Sequence, residues 1–323
     1  MKKREYILLF LVLCCLFSCE KKNRQECSNY RQAMRDFVIQ ISRVAKQCNP
    51  NFIIIPQNGI ELIAMGEDAE SELAWDYLSA IDGHGQEDLF YGYYQDEVPT
   101  PVSESDRLLG YLRRSSALGN HVLVTDYCAL PSHVEDSYLR CVQEGFISFS
   151  AHRRNLDAIP ACGVREENDE DILSLSQARN FLYLINPEQF ANKTDFINAV
   201  CATNYDILIM DLFLDGEVAF NAVEVERLRH KANGGRRLVM GYMSIGEAED
   251  YRYYWQSSWN KHRPEWMDKE NSAWSGNYKV CYWYKEWQDI ICGSGDSYLN
   301  RILAAGFDGV YLDVIDAYEY FEE

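Results

Sequence analysis

Seven carboxylates stand at or just after the ends of short apolar runs, where they are well placed to do chemistry. The last run, residues 310–312, ends on Asp313, and Asp316 follows three residues later. The other five are Glu87, Asp88, Asp126, Asp211 and Glu247. Crowding and burial can separate the pKa values of two carboxylates, so that one is protonated while the other is ionised. Hydrolysis of a glycosidic bond needs such a pair.

Each carboxylate also has a structural interpretation, because acidic residues at strand ends often cap the helix that follows. For one residue taken alone, the two interpretations have equal weight. Several carboxylates at equivalent positions favour a shared site.

Other catalytic patterns fit poorly. Residues 241–246 have one residue too many for a G-x-S-x-G nucleophile elbow, and neither H-E-x-x-H nor a glycine-rich phosphate loop occurs. Of the six histidines, only His84 and His152 lie near the ends of predicted strands. A cation bound by Asp82, His84 and Asp88 is the open alternative; otherwise we expect neither a metal nor a cofactor.

Alternating strands and helices would position these residues. The predicted strands are residues 52–55, 77–81, 121–125, 146–150, 181–185, 207–210, 238–242, 279–282 and 310–312, and the predicted helices include residues 28–48, 104–116, 134–144 and 221–231. Strands that alternate with helices and end in polar residues indicate a parallel α/β protein.

A single (β/α)8 TIM barrel is the favoured architecture, since it gathers residues from several strand ends on one face. Nine strands exceed the eight of a barrel, so residues 146–150 or 279–282 would form an element at the rim. A doubly wound open sheet is the second candidate, but such sheets usually carry a glycine-rich phosphate turn.

The N-terminus predicts export. Lys2, Lys3 and Arg4 precede an apolar run at residues 7–17, which is short for a membrane span and typical of a signal peptide. The run ends in Leu-Phe-Ser-Cys19, similar to a bacterial lipobox in which Cys19 is lipidated; cleavage without a lipid is the alternative. We therefore expect a signal peptide at residues 1–18, a tether at 19–27, one domain at 28–323, and a lipid anchor in the bacterial envelope, on the periplasmic or outer side.

Charge and composition limit the partners. The formal charge of −19 argues against nucleic acid, whose phosphates need a basic surface. Aromatic residues are concentrated at 251–287, and aromatic rings can stack on sugar rings. Packing of a long loop explains most of them equally well. We expect a monomer that acts on a polysaccharide or oligosaccharide.

Several longer motifs resemble glycoside hydrolase family 114, which is related to endo-α-1,4-polygalactosaminidases. They are Met-Ser-Ile-Gly-Glu-Ala-Glu-Asp-Tyr at 243–251, Glu-Trp-Gln-Asp-Ile-Ile at 286–291 and Gly-Phe-Asp-Gly-Val-Tyr-Leu-Asp at 306–313, with further likeness at 52–58, 81–91 and 122–127. The resemblance covers most of residues 50–323. It implies a (β/α)8 barrel that hydrolyses an α-linked polysaccharide, such as one containing galactosamine.

The order of the motifs differs from that of the family. There, the strand corresponding to residues 307–312 precedes the strand corresponding to residues 52–56, whereas here it comes last. This order predicts a circular permutation, with family strands six to eight first and strands one to five after them. Helix 28–48 would then lie beside strand 310–312, although the two are at opposite ends of the chain.

The resemblance also implies roles for individual residues. Asp313 matches the nucleophile or base, and Glu87 matches the partner acid, with Asp88 as the alternative. The substrate-binding candidates are Asp88, Asp126, Asp211, Asp316, Glu247, Tyr242 and Asn58. Two other functions compete: a carbohydrate-binding lipoprotein that kept the barrel and lost catalysis, and a structural envelope protein. A carboxyl separation of about 5–9.5 Å would favour hydrolysis.

Overall fold

The structure is a computed structural model that describes residues 25–216, 218–293 and 295–323. The predicted signal peptide, the lipidation site Cys19 and most of the predicted tether lie outside these residues.

Eleven strands occur in the described residues. They are β1 (Ile53–Pro56), β2 (Gly83–Glu87), β3 (His121–Tyr127), β4 (Ile147–Ala151), β5 (Phe181–Leu184), β6 (Ile207–Asp211), β7 (Leu238–Ser244), β8 (Glu247–Glu249), β9 (Met267–Glu270), β10 (Asn277–Val280) and β11 (Gly309–Asp313).

Nine α-helices accompany these strands in the same part of the chain. They are α1 (Tyr30–Cys48), α2 (Trp75–Ala80), α3 (Val102–Ser116), α4 (Pro131–Glu144), α5 (Lys193–Cys201), α6 (Ala222–Leu228), α7 (Lys285–Gln288), α8 (Tyr298–Ala305) and α9 (Ala317–Glu322).

Two parallel sheets form the centre of the fold. One has the order β1-β11-β7-β6-β5 and the other β2-β3-β4. Isolated parallel bridges, Gln57 with Gly85 and Ser148 with Asn180, join the edges of the two sheets. Strands β1, β5, β6 and β7 are buried along their whole length, which explains their uninterrupted apolar sequences. The predicted parallel α/β class is confirmed.

The small third sheet is antiparallel and has the order β8-β10-β9. It lies in the long segment between β7 and α8. The predicted strand at 279–282 therefore belongs to an element outside the parallel sheets, whereas the predicted strand at 146–150 is β4 in the parallel sheet.

One predicted strand is wrong. Residues 77–81 lie largely in α2, and the strand follows at Gly83–Glu87. Tyr77 and Leu78 are buried while Trp75 is exposed, so the apolar residues mark one face of a short helix. The true strand contains two glycines and lacks β-branched residues, so its propensity is low. Gly85 is needed there, because a side chain would collide with the Tyr311 hydroxyl.

The predicted first helix is confirmed as α1. The Asn29 side chain caps it by accepting a hydrogen bond from the Gln32 N–H at 2.8 Å. Its apolar face, which includes Phe37, Val38 and Ile41, is fully buried.

The two ends of the described chain lie side by side. Strand β1 pairs in parallel with β11, with Ile53 opposite Gly309. Near the start of α1, the Tyr30 ring stacks on Phe321 of α9 at 5.5 Å between ring centroids. Helix α1 packs against α8, which precedes β11, and against α9, which follows it. The circular permutation stays a prediction.

No helix in the described parts of the chain is both long and apolar enough to cross a lipid bilayer. No disulfide joins the eight cysteines in these parts. Cys128 and Cys281 are buried in the core, whereas Cys201 is half-buried.

We expect the Phe37→Ala substitution to lower the free energy of unfolding by about 3–5 kcal/mol, because it opens a cavity under α1. Urea denaturation would measure the loss. Arg43→Ala, on the exposed face of the same helix, is the matched control and should change stability by no more than about 0.5 kcal/mol. Equal effects of the two substitutions would mean that α1 is not part of the core.

Candidate active site

Asp313 and Glu87 end two parallel strands that are separated by only one other strand. Asp313 ends β11 and Glu87 ends β2. Between them lies β1, which pairs with β11 and is joined to β2 by the bridge from Gln57 to Gly85. Two inter-strand spacings, about 10 Å in all, separate the two backbones. Side chains that point to the same space can therefore bring the carboxyl groups closer than this.

The Asp313 carboxylate is held by two neutral donors. The Tyr242 hydroxyl donates to Oδ2 at 2.5 Å, and the Val314 N–H donates to Oδ1 at 2.8 Å. Val314 has φ 59°, in the left-handed region that β-branched residues avoid. Strained backbone of this kind persists where the surrounding structure enforces it, often at functional sites. Here it turns the chain directly after the carboxylate.

The Glu87 carboxylate also has two neutral donors. Its Oε2 accepts from Asn58 Nδ2 at 3.0 Å, and its Oε1 accepts from the Tyr127 hydroxyl. Asn58 Oδ1 accepts from the Glu87 N–H at 3.0 Å, which fixes the orientation of the amide group. Asn58, predicted to bind substrate, therefore orients Glu87 through two hydrogen bonds.

Burial favours the protonated forms of the Asp313 and Asp316 carboxyl groups. Burial raises the pKa of Asp313 to about 7, and the negative charge of Glu87 adds to the rise, while the bonds from Tyr242 and Val314 oppose it. Burial likewise raises the pKa of Asp316 to about 7, with further contributions from the charges of Glu319 and Glu87. Asp313, Asp316 and Glu87 are thus electrostatically coupled. Simultaneous ionisation of all three carboxyl groups is unfavourable near neutral pH.

Tyrosines form a layer beside the carboxylates. Tyr311 lies two residues before Asp313, on the same face of β11. Its ring meets that of Tyr183 edge-on at 5.2 Å, and the Tyr183 hydroxyl donates to Gln57 Oε1 at 2.7 Å. The Tyr311 hydroxyl is buried without a hydrogen-bond partner in the described structure. Alternation along β11 could have identified Tyr311; Tyr183 and Tyr127 carried no comparable sequence signal.

Asp126 lies elsewhere and has a structural role. Its side chain is fully buried and accepts bonds from the Phe90 N–H at 2.9 Å, the Tyr91 N–H at 3.1 Å and the Ser137 hydroxyl at 2.6 Å. These bonds hold the segment that follows β2. The geometry favours the structural interpretation for this residue.

Asp211 and Glu247 are paired with cations. Asp211 Oδ2 lies 2.5 Å from Arg252 Nη1, and both side chains are almost entirely buried. Glu247 Oε1 lies 2.7 Å from Lys279 Nζ and accepts from Asn271 Nδ2 at 2.8 Å. The first pair fastens the long segment after β7 to the end of β6, whereas the second lies within the antiparallel sheet, between β8 and β10. Burial raises the pKa of Asp316 and the charge of Lys279 opposes the rise, so the Glu247 pair borders the Asp313 site.

Asp88, the alternative to Glu87, faces a different partner. Its Oδ1 lies 3.1 Å from Arg154 Nη2, and the Arg154 guanidinium stacks 3.8 Å from the centroid of the Tyr127 ring. Burial raises the pKa of Asp88 to about 7, and the ion pair with Arg154 opposes the rise. Because Asp88 faces Arg154 whereas Glu87 is held by neutral donors, Glu87 remains the candidate partner of Asp313.

The candidate cation ligands do not converge. Asp82 forms an ion pair with Lys46 at 3.0 Å, and His84 Nε2 bonds the Ser115 hydroxyl at 2.8 Å. No group of three or more His, Cys, Asp or Glu residues suited to a metal occurs in the described parts of the chain.

A concave space adjoins this layer at the carboxyl ends of β4 and β5. Its volume is about 470 Å³, including space open to solvent, and it is bordered by Phe149, Ala151, Leu156, Ile159 and Tyr183. Tyr183 therefore separates an apolar recess from the layer beside Asp313.

The C-terminal part of the chain is similar to a known protein family. Residues 185–323 match the model of glycoside-hydrolase family GH114. The resemblance found in the sequence is confirmed for this part of the chain. The matched part contains Asp313, Tyr242 and Asp316, whereas Glu87 and Asn58 precede it.

Three curated relatives are uncharacterized proteins. The chain is 38% identical over 158 residues to MJ1477 of Methanocaldococcus jannaschii, over 48% of this chain and 43% of that protein. It is 39% identical over 124 residues to a protein of Thermotoga maritima, over 38% of this chain and 36% of that protein. It is 41% identical over 123 residues to a protein of Deinococcus radiodurans, over 38% and 37% of the two chains. The matched region spans less than half the length of each relative.

We expect Asp313→Asn to stabilise the protein at pH 8 by about 1–3 kcal/mol and to change stability much less at pH 4. The folded state keeps a proton on Asp313 up to a pKa of about 7, whereas an unfolded aspartate loses it near pH 4. Stability of the parent protein therefore falls as pH rises through this window. Urea denaturation at both pH values measures the difference, and a variant less stable than the parent at pH 8 would contradict it.

We also expect Glu87→Gln to lower the pKa of Asp313, because the substitution removes a nearby negative charge. Carboxyl-carbon NMR titration would measure this, with the Asp313 signal assigned by its loss in Asp313→Asn. Asp106→Asn, on the exposed face of α3, should leave the titration unchanged. An unchanged pKa in Glu87→Gln would show that the two carboxyl groups are not coupled.

Proposed function

We propose that this protein is a glycoside hydrolase that cleaves an α-linked polysaccharide by acid–base chemistry between Asp313 and Glu87. The observation that carries the proposal is the placement of these carboxylates at the ends of β11 and β2, each held by a tyrosine hydroxyl and a second neutral donor. The match of residues 185–323 to a glycoside-hydrolase family supports the reaction class.

The mechanism requires the pair to hold one proton. Glu87 acts as the acid that protonates the leaving oxygen, and Asp313 acts as nucleophile at the anomeric carbon or as base toward a water molecule. The coupling supports a pair that holds a single proton, since the negative charge of Glu87 raises the pKa of Asp313. The assignment of the acid and of the nucleophile or base follows the family resemblance. Tyr242 and Asn58 keep the reacting oxygens in fixed orientations. Asp316 is retained as a substrate-binding candidate.

We propose that the scaffold is a circularly permuted (β/α)8 barrel comprising residues 28–323. Eight parallel strands support it, with the neighbour order β1, β2, β3, β4, β5, β6, β7, β11 and back to β1 once the two isolated bridges are included. The packing of α1 against α8 and α9, which flank β11, and against α2 supports a ring in which α1 follows β11 in space although it precedes β11 in the chain.

A galactosamine-containing polymer is the proposed substrate, and the cell envelope is the proposed location, with a lipid at Cys19. Burial favours the protonated forms of Asp313 and Asp316, and a cationic amino sugar bound beside them and Glu87 would favour their ionised forms. The lipobox-like sequence that ends at Cys19 supports the anchor. Loss of catalysis on the same scaffold, leaving a carbohydrate-binding lipoprotein, is the competing function.

We expect the soluble protein, residues 20–323, to release reducing ends from α-1,4-galactosamine polymers or from another glycan in a panel of bacterial surface glycans. Asp313→Asn and Glu87→Gln should each lower the rate on the order of 10²–10⁴-fold, because each removes a group that transfers a proton or attacks. A reducing-end assay measures the release.

Asp106→Asn is the matched control, since it neutralises an exposed carboxylate on α3, and it should keep the parent rate. Release that persists in both site variants would rule out the proposed pair. Binding of a glycan by calorimetry without any release would favour the carbohydrate-binding protein, and the absence of both would contradict both functions.

A further inference from the structure

The described chain enters the fold at the face that carries the candidate active site. Helix α1 ends at Cys48, and β1 begins only five residues later, at Ile53. A helix of 19 residues is about 28 Å long, so its first residue lies far from the start of β1. Because α1 runs antiparallel to β1, as a helix joined to a strand by a short connection does, its N-terminus lies at the carboxyl end of that strand.

Contacts at both ends of the chain support this placement. Arg35 Nε donates to the Leu62 carbonyl at 2.8 Å, in the segment that follows the carboxyl end of β1. The Arg31 guanidinium pairs with Glu322 of α9 at 3.1 Å, and α9 begins four residues after Asp313. The first turns of α1 thus lie beside the segments that follow the carboxyl ends of β1 and β11.

The first described residue is held at the same face. The Trp283 indole N–H donates to the Gln25 carbonyl at 3.0 Å, and the Trp283 ring packs against Tyr30 at 5.1 Å between centroids. Gln25 is therefore fixed against the segment between β10 and α8 and beside the start of α1.

The distance from Gln25 to the proposed anchor is short. Cys19 lies six residues before Gln25, and a fully extended chain covers at most about 3.3–3.6 Å per residue, or about 20 Å in all. A compact domain of about 300 residues is roughly 50 Å across. A tether less than half this width, attached at one face, restricts which face can lie toward the membrane.

The same face exposes large aromatic side chains. Tyr93 and Tyr94 lie in the segment between the carboxyl end of β2 and α3, and Trp75 is the first residue of α2. Tyr251 and Trp274 lie in the segment after β7. Their exposed fractions run from 47% for Tyr93 and Tyr251 to 75% for Tyr94. Tyrosine and tryptophan are the residues favoured at membrane–water interfaces, because each combines an apolar ring with a polar group.

We propose that the face carrying Asp313 and Glu87 is held toward the surface of a lipid bilayer. The substrate would then be a glycan that is attached to this surface or lies along it; this last step rests on the proposed glycosidase function, whereas the orientation rests on the anchor at Cys19. The formal charge of −19 opposes tight adsorption to anionic lipids. The tether and the exposed aromatic residues, rather than net charge, keep this face close to the bilayer.

Two exposed cysteines on opposite faces allow a direct test. Cys162 lies 3.5 Å from His152, which directly follows β4, so it reports on the carboxyl-end face. Cys48 ends α1 and reports on the opposite face.

The full chain would be produced in a bacterium that processes lipoproteins, and then reconstituted into phosphatidylcholine vesicles that contain an acceptor-labelled lipid. A donor dye is attached to Cys162 in a Cys48→Ser protein, or to Cys48 in a Cys162→Ser protein. Both proteins also carry Cys27→Ser and Cys201→Ser, which remove the half-buried thiols. We expect energy transfer at least twofold higher from Cys162 than from Cys48. Equal or reversed transfer, or absence of a lipid on Cys19 by mass spectrometry, would overturn the proposal.

Two further variants separate the possible causes. Asp313→Asn should leave both transfer values unchanged, because orientation does not depend on catalysis, so failure of the glycosidase assay and failure of the orientation remain distinguishable. The double variant Tyr94→Ser, Trp274→Ser should lower transfer from Cys162. If transfer is unchanged while glycan binding weakens, these aromatic residues form a sugar-binding surface and the lipid contact is refuted.

Discussion

The parallel pairing of β11 with β1 on one side and β7 on the other is the constraint on which the rest of the structure depends. This pairing joins the last strand of the chain to the first, so the large sheet exists only when both ends of the chain are present. It also places Asp313 next to the segment that carries Asn58, and through Asn58 next to Glu87. The candidate site is therefore assembled from residues more than 200 positions apart in the sequence.

Charge neutralisation distinguishes the site from the other strand ends. Asp211, Glu247 and Asp88 are each paired with a cation, from Arg252, Lys279 and Arg154 respectively. Asp313 and Glu87 form no ion pair within the described chain and are held by tyrosine, amide and backbone donors. Burial raises the pKa of a carboxyl group and an ion pair opposes the rise, although burial prevails at Asp88 and Asp211 as well as at Asp313. Carboxylates that look alike in sequence thus differ in whether an ion pair holds them.

The aromatic residues of 251–287 divide in a similar way. Most pack against one another and against the hydrophobic core, as in the contact of Trp266 with Trp287 at 5.1 Å between ring centroids. The buried ion pair between Arg252 and Asp211 fastens this long segment to the end of β6. Only a few rings, including those of Tyr251 and Trp274, remain exposed. Most aromatic residues of this segment are therefore packed against other rings, and only a few are exposed to solvent.

The sequence by itself determined the elements whose signals are local. Continuous apolar runs predicted β1, β5, β6, β7 and β11, and periodic apolar residues predicted α1, because burial on both faces or on one face leaves a pattern in the residues themselves. The strand β2 was missed, since its glycines are explained only by the Tyr311 side chain that packs over them. Tertiary structure alone decided which carboxylates have counter-charges. Their partners Arg252, Lys279 and Arg154 come from other segments, and an electrostatic environment depends on distance in space rather than on position in the chain.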